Sequence, residues 1–121
     1  MKTLLINAHP DPHAADSATH QMVQHLLSQL PAGNVEVLNL AEADIPPLNK
    51  AMRDVYIKTV FTQAPLGAAE EALTARMHEL VAQFKSAQRL LIAMPMYNFD
   101  IPARLKDWLD NIVAPGKPSA M

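Results

Sequence analysis

Arg89-Leu90-Leu91-Ile92-Ala93-Met94-Pro95 is an unbroken apolar run shut off by an arginine before it and a proline after it. A run this short, with no polar alternation, is the pattern of a strand buried on both faces, as strands of a parallel sheet are. Helices flank it on either side. Upstream, beyond Pro65, Leu73, Met77, Leu80, Val81 and Phe84 form a stripe at helical spacing, and Glu70 and Glu71 lie near its start, where the helix dipole favours acids. Downstream, Leu105, Trp108, Leu109 and Ile112 repeat that spacing after Pro102, and Pro115-Gly116 stops them.

The remainder of the chain continues the alternation. Thr3 to Ala8 is a second apolar run, cut off by His9-Pro10-Asp11-Pro12, and reads as a buried strand because two prolines forbid its extension. From Ser17, the positions Ala18, Met22, Val23, Leu26, Leu27 and Leu30 fall on one helical stripe that Pro31 and Gly33 close. Val35 to Leu40 alternates apolar and polar residues as a strand does, then breaks at Ile45-Pro46-Pro47; Ala51 to Thr62 is weakly periodic and fits a short helix. Strand, helix, strand, helix, strand, helix, without internal repeat, specifies parallel strands joined by crossovers. The expectation is an α/β doubly wound parallel sheet of three strands in one domain spanning 1–121.

Composition narrows the function classes. With 10 basic and 12 acidic residues the formal net charge is -2, so no sequence-wide basic field exists for nucleic acid or an anionic membrane. The absence of cysteine excludes a disulfide framework, a thiolate nucleophile and a thiolate metal site. Leu4-Leu5-Ile6 is too short for a signal-peptide core or a membrane span, so a cytoplasmic protein is expected.

Ligands of open α/β sheets bind beyond the carboxyl ends of the strands, where strand order reverses. The two segments at that place are His9 to Thr19 and Pro95 to Pro102. The first runs into a helix N-terminus, whose free N–H groups and dipole suit a phosphate, and Ser17 and Thr19 add hydroxyls. By its type alone Ser17 is an N-cap. With three glycines in the whole chain, neither G-x-G-x-x-G nor G-x-x-x-x-G-K-[ST] is present, which argues against a Rossmann dinucleotide clasp and a P-loop. His9 and His13 are separated by prolines, and His20 and His25 do not share a helix face, so no metal site is expected. In the second segment Met96, Tyr97 and Phe99 are read as an apolar wall for a planar ring, with Asn98 and the loop amides at its polar edge; the bland reading is a rigid turn that starts the next helix.

The stretch Pro95-Met96-Tyr97-Asn98-Phe99-x-Ile101-Pro102-x-x-Leu105-Lys106-x-x-x-Asp110-x-Ile112-Val113 resembles the signature of the FMN-dependent NADH azoreductase and NAD(P)H quinone reductase family. The loop from Asn7-Ala8-His9-Pro10 to Ser17-Ala18-Thr19 is similar to that family's flavin phosphate loop, and Asn39 to Pro46 to its segment after the second strand. The resemblance implies a flavodoxin-like fold with strand order 2-1-3 that binds FMN without a covalent bond. It places His9, Ser17 and Thr19 near the phosphate, and Pro95, Met96, Tyr97, Asn98 and Phe99 along the ribityl chain and the isoalloxazine. NADH or NADPH would reduce the flavin, and a quinone or azo compound would accept the electrons by a ping-pong route in a homodimer or larger homo-oligomer.

Such chemistry belongs to the flavin, so no catalytic side chain of the protein is implied. Family members continue past the Gly116-Lys117 step into further strands, so the resemblance implies an incomplete fold. The rival from a different class is a catalytically silent flavodoxin-like fragment that serves as a binding or assembly module. A visible flavin spectrum separates the two.

Overall fold

The structure, a computed structural model, describes residues 1–95 and 102–113. Met96, Tyr97, Asn98 and Phe99, together with the Pro115-Gly116 stop, lie outside the described residues.

Three strands, β1 (Thr3–Asn7), β2 (Val35–Asn39) and β3 (Arg89–Ala93), form a parallel sheet in the order β2-β1-β3. Register is continuous on both sides of the central strand: Thr3 faces Val35 and Arg89, and Asn7 faces Asn39 and Ala93. The first crossover is α1 (Ala18–Gln29). The second carries α2 (Lys50–Tyr56), a π-helical turn (Ile57–Thr62) and α3 (Ala68–Ser86), and α4 (Ala103–Ile112) follows β3. This is the sheet expected from the sequence.

Alternation along β1 assigns its side chains to two layers. Leu4 and Ile6 pack with Leu38, Leu40, Leu80, Val81, Leu105 and Trp108, a core closed by α3 and α4. Leu5 turns the other way, against Val23 of α1 and Ala93. All five residues of β1 are buried. Trp108 is fully buried and meets Phe84 edge-on at a centroid distance of 6.0 Å and an interplanar angle of 72°, which ties α4 to α3.

Two expectations need correction in detail. β3 is not buried on both faces: Leu90 is 38% and Ile92 41% exposed, because β3 is the outer strand of the described sheet and only its α1-facing side is well covered. The segment read as one weak helix over Ala51 to Thr62 is α2 followed by the π turn, and it ends at Gln63, whose φ of 54° is left-handed. π-Turns of this kind widen the helix by one residue per hydrogen bond, a spacing that a 3.6-residue period does not reveal.

α3 starts where its acids predict. Glu70 Oε1 accepts from the Gly67 N–H at 3.0 Å and from Lys58 Nζ at 2.7 Å. Both bonds favour the charged carboxylate, and the Gly67 amide first, then the Lys58 ammonium, hold it below the usual glutamate range.

Candidate functional site

At the carboxyl ends of β1 and β3 lies a cleft of about 410 Å³. Its polar lining is His9, Ser17 and Thr19; its apolar lining is Ala18, Met22, Met94 and Pro95. Four residues singled out from the sequence, His9, Ser17, Thr19 and Pro95, are thus brought to one place from positions as much as 86 apart in the chain.

The loop leading into α1 is fixed by its own side chains. Buried Asn7 accepts from the His9 N–H on Oδ1 at 3.1 Å, and His9 Nδ1 accepts from the Asp11 N–H at 2.9 Å. The Ala14 N–H donates to the Asp11 carbonyl and the Ser17 N–H to that of Ala14, so the loop descends to the helix in successive turns. His20 reaches back to the Pro12 carbonyl at 3.1 Å; a carbonyl only accepts, so Nδ1 of His20 carries the proton.

Ser17 is the N-cap that its type predicts: its Oγ accepts from the His20 N–H at 3.0 Å. Capping uses a lone pair and leaves the hydroxyl proton to donate elsewhere. The first intrahelical bond runs from Gln21 N–H to the Ser17 carbonyl, so the N–H groups of Ala18 and Thr19 are without a partner among the described residues. Thr19, 5% exposed, lines the same cleft. A phosphate fits this set: two free amides, two hydroxyls and the positive end of a twelve-residue helix.

Met22 and Met94 were assigned from sequence to a helix stripe and a strand, and their place on the cleft wall was missed. Periodicity marks which side chains leave solvent-facing rows; it does not distinguish a core from the apolar wall of a ligand cleft. Among the described residues no group of three or more His, Asp or Glu side chains is arranged to hold a metal ion. Likewise no described helix is long and apolar enough to cross a membrane.

A family model described as flavodoxin-like fold matches residues 1–120. The chain belongs to that family. Among its relatives, the FMN-dependent NADH:quinone oxidoreductase 1 of Bacillus anthracis is 37% identical over 117 residues, covering 93% of this chain and 53% of the relative. The enzyme of the same name from Lactiplantibacillus plantarum is 38% identical, with 93% and 54% covered. In structure, the chain superposes on an FMN-dependent NADH-azoreductase from Bacillus anthracis in complex with FMN, with a TM-score of 0.85, 35% identity, and coverage of 92% of this chain and 55% of the other. This flavodoxin-like chain therefore spans about half the length of the relatives it matches.

Proposed function

We propose that residues 1–121 form one flavodoxin-like domain of an FMN-dependent oxidoreductase that takes electrons from NADH or NADPH and passes them to quinones or azo compounds. The observation that carries this reading is the convergence of His9, Ser17, Thr19 and the free amides of α1 on one cleft. Relatives named for FMN, NADH and quinone support the same chemistry. None of these names supports a silent assembly module.

When bound, the flavin supplies the two-electron chemistry. The work of this chain is positioning. Ser17 and Thr19 hydroxyls and the Ala18 and Thr19 amides hold the phosphate, and His9 donates from Nε2, the nitrogen left with the proton by the Asp11 contact. Met22, Met94 and Pro95 keep water from the apolar side of the cleft. Met96, Tyr97, Asn98 and Phe99 are assigned to the ring, three as its wall and Asn98 at its polar edge. A homodimer and a cytoplasmic location complete the proposal.

Purified protein incubated with FMN and desalted should retain stoichiometric flavin absorbance. Anaerobic NADH or NADPH should bleach it, and a quinone should restore it. Protein that retains no flavin at any FMN concentration would sink the reading.

A further inference from the structure

Resting on the FMN reading above, we infer that the loop after β2, residues 40–46, is a rigid strut that sets the phosphate loop at a fixed distance from α4, and that Arg104 and Glu42 are its positioning residues. Loops ordinarily satisfy their backbone with water. Here consecutive carbonyls are taken by side chains of α3 and α4. Arg104 donates from Nε at 3.1 Å and Nη2 at 3.0 Å to Leu40, from Nη2 at 2.6 Å to Ala43, and from Nη1 at 3.2 Å to Ile45. Arg76 Nε donates to the Asp44 carbonyl at 2.7 Å, and buried Asn111 donates to that of Pro46 at 2.8 Å. The planar guanidinium, with five donors in a rigid fork, reaches three carbonyls at once.

The other end of the strut is a side chain. Glu42 Oε2 accepts from His13 Nε2 at 3.0 Å, and its Oε1 from Asn39 Nδ2 at 3.3 Å. His13 lies in the loop that carries His9 and Ser17, while Arg104 is two residues beyond Pro102, at the start of the helix that follows the ring segment. The loop into α1 and helix α4 are therefore linked through a third loop that is not part of the cleft lining. Holding them at one spacing sets the place of the loop into α1 in advance of binding.

A double-mutant cycle on FMN affinity, read by quenching of flavin fluorescence, tests this. Glu42→Ala breaks an exposed contact and should leave the melting temperature nearly unchanged, yet weaken FMN by about threefold. Removing a negative charge near a phosphate would by itself tighten binding, so the sign is diagnostic. Arg104→Met should weaken FMN about tenfold, with partial rescue by Arg104→Lys. Because both changes release one element, the double variant should be no weaker than Arg104→Met alone. Unchanged or tighter binding in Glu42→Ala, or additive losses in the double variant, would overturn the strut. If Arg104→Met does not fold, the cycle is run with Arg104→Lys. If wild-type protein binds no FMN, the cofactor reading fails separately, and hydrogen exchange of the amides at 11–17 decides: faster exchange in Glu42→Ala and Arg104→Lys supports the strut, and unchanged exchange overturns it.

Discussion

The Asp11 N–H donates to Nδ1 of His9 across 2.9 Å, and that one bond dictates the tautomer of the ring. An imidazole nitrogen that accepts carries no proton, so Nε2 holds it and is the donor available to an anion. His9→Asn tests this, because the asparagine Oδ1 can accept from the amide two residues on and preserve the turn while the Nε2–H is lost. FMN affinity should fall about tenfold with little change in melting temperature. Equal affinity in a folded variant would remove His9 from the site.

Ser17→Ala combined with Thr19→Ala separates capping from phosphate binding. Loss of the cap alone costs about 1 kcal/mol of stability. The expected result is a folded protein whose flavin affinity drops by more than its stability does, measured by fluorescence titration beside thermal melts. Unchanged affinity would reduce both hydroxyls to fold elements.

Acid should loosen the start of α3. The folded-state pKa of Glu70 lies below its ordinary value of 4.5, and that of Asp54, bonded to Lys50, below 3.8. A depressed carboxyl contributes stability that is present above the unfolded pKa and lost as pH falls through the folded one. Melting temperatures should therefore decline as pH drops below about 4.5, and Glu70→Gln should flatten that decline. A variant curve parallel to wild type would show that these bonds do not couple to folding.

Self-association is expected through β3. Leu90 and Ile92 are exposed on the outer strand of the described sheet, an arrangement that invites pairing with another chain. Light scattering over a dilution series should show concentration-dependent mass, and Ile92→Lys should abolish it. A strict monomer at all concentrations would refute the prediction, and flavin fluorescence on the same samples reads whether binding tracks association.

Apolar runs and stripes made most of the fold legible. Leu4-Leu5-Ile6 in the centre, the α3 stripe ending in Phe84, and Trp108 in the core all follow from spacing and burial of the types involved. The start of α1 was legible as well, through Ser17 as its N-cap. Less visible were Met22 and Met94, since an apolar side chain looks alike whether it faces a core or a cleft. The Arg104 contacts were not visible at all: their acceptors are backbone carbonyls of a loop remote in sequence, and a carbonyl leaves no mark on residue type. The π turn after Tyr56 escaped for the reason given above, its hydrogen-bond spacing.

Placing β1 between β2 and β3 imposes an order of events during synthesis. Thr3 meets its second partner only when Arg89 has been made, which at ribosomal speed is roughly 4 to 17 s after the first strand appears. Throughout that interval Leu4, Leu5 and Ile6 have a neighbour on one side at most among the described strands, and the most enclosed of the three is open to other chains. Nascent protein should therefore depend on shielding by a chaperone until β3 emerges, and slow codons between Asn39 and Arg89 should lower its soluble yield.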